Sequence, residues 1–300
     1  MSTDRIPDGT EVLVVGEALM DVVNRDGSRV EHPGGSAANV ALGLGRLGVA
    51  TALLTHLAAD DRSRSLAGHL EASGVHVLAS SVTAERASSA VATIEPSGAA
   101  SYEFDVSWAL PGALPSGSAR VLHLGPLPAF LSPWEELDAL IERVGPREIT
   151  FDPNIRPALI GSRDAVLPRF EEVARRASVV KLSDEDAGWL YPGLPVEKLL
   201  DTLLAWGARL AVVTRGAEGA VLATPSHRLS VAAAPVRVVD TIGAGDTFMA
   251  SLIGSVARGG SDLPEARLLA VAEEARTAAA ITASRAGADL PWASELGSAV

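Results

Sequence analysis

The stretch Gly243-Ala244-Gly245-Asp246, inside VVDTIGAGDTFMASLIGSVA, sets three small residues and a carboxylate where a loop gives way to an apolar helical pattern from Thr247. Small residues let backbone approach an anion closely, and the first N–H groups of a helix point at it with the positive end of the dipole. That is a phosphate-sized anion site. Asp246 lies within it, and a carboxylate beside bound phosphate is repelled unless a metal or a proton-transfer task accounts for it. A general base taking a hydroxyl proton fits. A glycine-rich helix entry with Asp246 as its N-cap has the same spacing and, on spacing alone, a slight edge.

Further groups sit where strands end. Asp21 follows the first β-rich run, and its acceptor-only carboxylate suits two adjacent hydroxyls as well as it suits solvent. Gly34-Gly35 precede a helical run carrying Asn39, whose amide donates and accepts at once and is equally at home as a buried structural group. Phe151-Asp152-Pro153-Asn154-Ile155-Arg156 puts an amide and a planar guanidinium at another strand end; the plainer reading has Arg156 held by Asp152 at the surface. Lys181-Leu182-Ser183-Asp184-Glu185-Asp186 opens a helix with acids, as the macrodipole alone would favour. The run Val212 to Gly219 reads as a strand and turn. Gly43-Leu44-Gly45-Arg46-Leu47-Gly48 formally spells a dinucleotide fingerprint, but these glycines close a helix instead of following a strand, so they read as close helix packing and a stop.

Several chemistries are excluded. Six histidines form no i,i+4 pair and no H-E-x-x-H, and no G-x-S-x-G occurs. With no cysteine there is no thiolate metal site, disulfide or cysteine nucleophile. Of 25 basic residues only Lys181 and Lys198 are lysine and neither follows a glycine, which removes the Walker-type phosphate loop.

Elements must carry these groups. β-rich runs near residues 12, 51, 120, 148, 178 and 209 alternate with helical patterns at 37–47, 134–144, 165–176 and 196–206. This rhythm predicts a doubly wound α/β fold, a mostly parallel sheet flanked by helices, as one domain over 1–300. Two stretches break it: 22–33, with Asp26-Gly27 as a hairpin turn, and 88–106, turning about Pro96-Ser97-Gly98. Together they predict a small antiparallel β lid that covers a ligand cleft or pairs with a second copy.

The net charge of -12 argues against nucleic acid and anionic membrane as partners, leaving a small molecule. No membrane span is apparent, and the acids in MSTDRIPDGTEV fit no secretory signal, so a cytoplasmic protein is expected.

DTIGAGDTF, GGSAANVALGLGRLG and GEALMD, in this order and spacing, resemble the signatures of the ribokinase-like (PfkB-type) carbohydrate kinases from about Val12 to Trp292. The resemblance implies an ATP-dependent sugar kinase in which Gly243, Ala244 and Gly245 form the anion hole and Asp246 is the base. It implies sugar contacts at Asp21, Gly34, Gly35, Asn39, Asn154 and Arg156. It implies nucleotide contacts at Ser183, Thr214, Arg215, Gly216 and Gly219. Magnesium would be organised through water by Asp186, in place of the family's glutamate, or by its competitor Glu185. A potassium-type ion would lie at Asp240 and the carbonyls of Ile242, Arg285 and Gly287.

The D-P-N-x-R pattern resembles the fructokinase and 2-keto-3-deoxygluconate kinase branch. Fructose is the first expectation, because Asp105 stands near the second hairpin where sugar-acid kinases place an arginine. The alternatives are 2-keto-3-deoxygluconate, ribose or a nucleoside within the fold, and outside it a nucleotide-dependent oxidoreductase or a non-catalytic sugar-binding protein. A homodimer through the lid strands is expected as well.

Overall fold

The computed structural model describes residues 4–25, 28–94 and 100–297. Nine strands form one sheet in the order Arg228–Val231, Ala220–Ala223, Leu210–Thr214, Val179–Ser183, Glu148–Phe151, Val121–Leu124, Val12–Val15, Thr51–Leu54, Val75–Val77. The strands from Leu210–Thr214 to Val75–Val77 pair in parallel, and the last two at the other edge are antiparallel. The six runs expected from composition all fall in the parallel part.

Parallel strands need helical crossovers, and these bury both faces of the sheet. Val12 and Val14 join the core beneath the helices Ser36–Arg46, Ala244–Gly259 and Glu265–Ala283, whereas Leu13 and Val15 join the core under Trp134–Val144, Arg163–Ala174 and Val196–Ala205. Hence the central strands read as unbroken apolar runs. Their carboxyl ends share one edge, where ligands of open α/β sheets bind.

A second sheet has the order Ser28–Gly34, Leu19–Arg25, Ser89–Ile94, Ala100–Asp105. Each half is an antiparallel hairpin, but Leu19–Arg25 and Ser89–Ile94 pair in parallel. The sheet is therefore antiparallel only within its hairpins, because each hairpin contributes its first strand to the middle. Both expected turns, at Asp26-Gly27 and Pro96-Ser97-Gly98, lie outside the described residues.

The glycines at 43–48 are packing residues. A Cβ on Gly43 would meet Ala250 Cβ at 2.8 Å, and one on Gly45 would meet the Ser73 carbonyl oxygen at 2.3 Å. Gly48 has φ +76° just past the helix end, where an L side chain is disfavoured. Because a backbone atom cannot swing aside as a side chain does, Gly45→Ala is expected to lower stability by about 1–3 kcal/mol. Urea denaturation of the two proteins measures this, and an unchanged midpoint would contradict the close approach.

Candidate active site

Asp246 lies in the first turn of the helix Ala244–Gly259, whose N-cap, Gly243, is left-handed at φ +77° and offers no side-chain cap. The Ala244 N–H reaches the Thr241 carbonyl and the Thr247 N–H reaches that of Gly243, while those of Gly245 and Asp246 have no partner among the described residues. Two free donors at a positive helix end make an anion cradle. Asp246 is not the N-cap.

The Asp246 carboxylate is 9% exposed and is held from the glycine block. Ser36 Oγ donates to Oδ1 at 2.8 Å and Asn39 Nδ2 donates to Oδ2 at 2.8 Å. Burial pushes its pKa upward, against the pull of those two hydrogen bonds and of the Lys181 and Arg156 charges. Each oxygen keeps a second lone pair, so a hydroxyl proton can still be accepted.

Two more acids crowd this corner. Glu17, at the end of strand Val12–Val15, is 6% exposed; Oε1 accepts from the Ser36 N–H at 3.0 Å and Oε2 has no partner. Burial, with the negative charge of Asp246, pushes it to about 7. Asp21 is pushed to about 6 by burial and Asp246, against the pull of His32. Gly34 and Gly35 are glycine because the chain runs directly over these acids. A Cβ on Gly34 would stand 2.0 Å from Asp21 Oδ2, and one on Gly35, at φ +102°, 2.7 Å from the Glu17 carbonyl oxygen.

Lys181 and Asp152 form a buried ion pair at 2.7 Å, so Asp152 does not hold Arg156. The Arg156 side chain is exposed and donates to the Ile155 carbonyl at 2.8 Å. Burial raises Asp152 to about 6 despite Lys181. Burial works against the Lys181 charge, yet Asp152, Asp186 and Asp246 hold its pKa above the ordinary value. His123, buried beside them, falls to about 3 through burial and the Lys181 charge.

Asn154 is the one non-glycine residue with positive φ, +34°, among the described residues, and its side-chain amide has no partner there. This turn is pinned by Asp186, whose Oδ1 accepts from the Ile155 N–H at 2.8 Å. Asp186 Oδ2 accepts from the Ser183 N–H at 3.1 Å, and Ser183 Oγ accepts from the Asp186 N–H at 3.0 Å. That reciprocal capping box engages Asp186 Oδ2 and the Ser183 hydroxyl, and with the Ile155 N–H on Oδ1 both Asp186 oxygens are occupied. The neighbouring Glu185 is exposed, and its side chain has no hydrogen bond among the described residues.

Thr214 ends the adjacent strand and its hydroxyl donates to the Leu182 carbonyl at 3.3 Å. In the turn that follows, Arg215 N–H donates to the Gly219 carbonyl at 2.7 Å, and Gly216 and Gly219 take φ +48° and +95°. Asp240 ties two loops together, since its oxygens accept from the Ile242 N–H at 3.0 Å and the Gly287 N–H at 2.9 Å. Arg285, close in sequence, turns its guanidinium towards Glu295 and Asp289. The described residues include no cluster of three acids or histidines suited to hold a metal directly.

Asp246, Asn39, Asp21, Gly34 and Gly35 thus gather in one corner, while Asp240 and Gly287 meet behind the cradle. Sequence reasoning missed Glu17, Ser36 and Lys181. Glu17 and Ser36 lay inside quoted motifs, and the signal for Lys181 was its rarity, one of two lysines and set within an apolar strand.

The pfkB family carbohydrate kinase profile matches residues 9–295. The chain is 36% identical to a fructokinase of Rhizobium leguminosarum bv. trifolii, over 82% of this chain and 79% of that protein. It superposes with a TM-score of 0.82 and 25% identity on the aminoimidazole riboside kinase from Salmonella enterica, solved with aminoimidazole riboside and an ATP analog; 96% of this chain and 99% of that one are covered. A double mutant of the fructokinase from Vibrio cholerae O395, solved with fructose, ADP and potassium ion, superposes with a TM-score of 0.81 at 24% identity, over 98% and 99% of the two chains. The chain belongs to the pfkB family of carbohydrate kinases and has their ribokinase-like fold.

The buried acids imply a stability test. Glu17 binds its proton more tightly folded, at about 7, than unfolded, at 4.5. Its contribution is therefore complete below the lower value and is lost as pH rises through the higher one. Glu17→Gln keeps the acceptor for the Ser36 N–H without a charge to bury. The variant is expected to gain on the order of 3 kcal/mol over the wild type at pH 8 and nearly nothing at pH 4.5. Thermal unfolding at both values measures it, and equal gains at both would contradict the assignment.

Proposed function

We propose that this carbohydrate kinase transfers the γ-phosphoryl group of ATP to a hydroxymethyl group of fructose, with Asp246 as the general base. The observation that carries this reading is a buried carboxylate held between a glycine block and the unpartnered N–H groups of a helix N-terminus. One side suits an alcohol and the other an anion, and phosphoryl transfer needs both in line.

In this reading Asp21 and Asn39 hold sugar hydroxyls beside Gly34 and Gly35, and the free amide of Asn154 adds a further contact. The sugar hydroxyl gives its proton to Asp246 as its oxygen bonds to the γ-phosphorus, and the bond to the ADP oxygen breaks. The backbone N–H groups of Gly245 and Asp246 stabilise charge on the transferring group, and Arg156 reaches it from the facing loop. Thr214, Arg215, Gly216 and Gly219 border the nucleotide beside Ser183. Magnesium, when present, would neutralise charge on the phosphate oxygens. Glu185 is the carboxylate free to meet its waters, since Asp186 is engaged by backbone N–H groups. Asp240, with the carbonyls of Ile242, Arg285 and Gly287, would hold a potassium-type ion behind the cradle, where two loops already converge on one carboxylate.

A neutral sugar is favoured because Arg86, the arginine beside the second hairpin, is neutralised by Asp105 at 2.7 Å and is not free for a sugar acid. The small sheet serves as a lid that excludes water. Its outer strand Ser28–Gly34 exposes Val30 at 46%, which suits pairing with a second copy in a homodimer. We place the enzyme in the cytoplasm.

Asp246→Asn is expected to reduce turnover at least about 100-fold, the scale of general-base catalysis, with little change in ATP affinity or unfolding temperature. A coupled ADP assay with fructose measures it, and normal turnover would refute the base. In the same assay fructose is expected to give the highest kcat/KM among fructose, 2-keto-3-deoxygluconate, ribose and nucleosides. Preference for the sugar acid would overturn the substrate.

A further inference from the structure

We propose that Lys181 is a positioning residue for phosphoryl transfer: its ammonium, fixed by Asp152 beside Gly245, supplies the positive field that holds Asp246 as a carboxylate among neighbouring acids. The inference rests on the base role given above to Asp246.

Lys181 lies within strand Val179–Ser183 and is 4% exposed. An ammonium buried that far from water is costly unless it is paired and its remaining donors are used. Here the pairing is incomplete. Lys181 donates to Asp152 Oδ2 at 2.7 Å, and no second acceptor is found for its other two N–H groups among the described residues. Asp152 Oδ1 and His123 Nε2, both buried, also lack partners among the described residues. A pair serving stability alone gains nothing from three open valences.

The position of Nζ supplies the reason. It stands 3.5 Å from where a Cβ on Gly245 would be, against the cradle. Burial and the acids Glu17, Asp21 and Asp152 oppose the ionisation of Asp246; the hydrogen bonds from Asn39 and Ser36 favour it, and the charges that favour it are those of Lys181 and Arg156. Arg156 is exposed, so water screens it. Lys181 is buried and its field is not. Asp152 holds the ammonium in place against the helix entry at Gly245.

The test is the pH dependence of fructose phosphorylation for wild type, Lys181→Met, Lys181→Arg and Asp246→Asn. Removing a nearby positive charge raises a carboxylate's pKa by about one unit or more. In Lys181→Met the acid limb of kcat should move up by that amount, with a loss at pH 6 of up to about tenfold per unit moved that shrinks towards pH 9; Lys181→Arg should keep the limb near its wild-type position. Loss by the same factor at both pH values, or an unmoved limb, overturns the proposal. Should Lys181→Met fail to fold, the Asp152→Asn/Lys181→Met double variant, compared with Asp152→Asn alone, must show the same upward movement or the proposal falls. Normal turnover in Asp246→Asn sinks the base reading and this proposal together. Abolished turnover there, with the limb unmoved in Lys181→Met, sinks this proposal alone.

Discussion

The organising constraint of this molecule is the crowding of carboxylates at the carboxyl edge of a parallel sheet. Glu17, Asp152 and Asp246 are buried and Asp21 half-buried, the charge of Asp246 reaches each of the other three, and burial raises the pKa of all four. Such a corner is unfavourable for the folded chain taken alone, since each buried charge opposes the next. It is favourable for a site that must receive alcohols and give up protons near neutral pH. The cost is offset by donors drawn from several elements: the Ser36 hydroxyl and N–H, the Asn39 amide and the Lys181 ammonium.

The same constraint accounts for the glycines. Gly34 and Gly35 let the chain pass over Asp21 and Glu17, and Gly243 lets the helix entry approach Ala288. Each is a place where backbone lies against another group at a distance that excludes a Cβ. The glycine block also joins the small sheet to the Asp246 carboxylate within a few residues. Strand Ser28–Gly34 ends beside Asp21, and Ser36, two residues on, donates to Asp246.

Much of the architecture was legible in one sequence, because the βαβ rhythm is a local pattern that repeats. The six β-rich runs became parallel strands, and the helical patterns at 134–144 and 196–206 match Trp134–Val144 and Val196–Ala205 closely. The antiparallel strands Ala220–Ala223 and Arg228–Val231, and the short edge strand Val75–Val77, were not anticipated. They lie at or near the sheet edges, where short strands carry little pattern. Nor did the sequence foretell the parallel pairing between the two hairpins, since hairpin signals report only neighbours along the chain.

For the site, residue types and spacing marked the helix entry at Gly243 to Gly245, the glycine block and the strand-end turns, because a backbone that makes a close approach requires small residues locally, although spacing alone gave the N-cap reading of Asp246 a slight edge. Which side chains meet was settled only by the tertiary structure. Ser36 and Asp246 are 210 residues apart, and Lys181 and Asp152 are 29 apart on neighbouring strands. The burial that raises Glu17, and the Ile155 N–H that occupies Asp186 Oδ1, arise from packing between elements, so no single stretch of chain carries their signal.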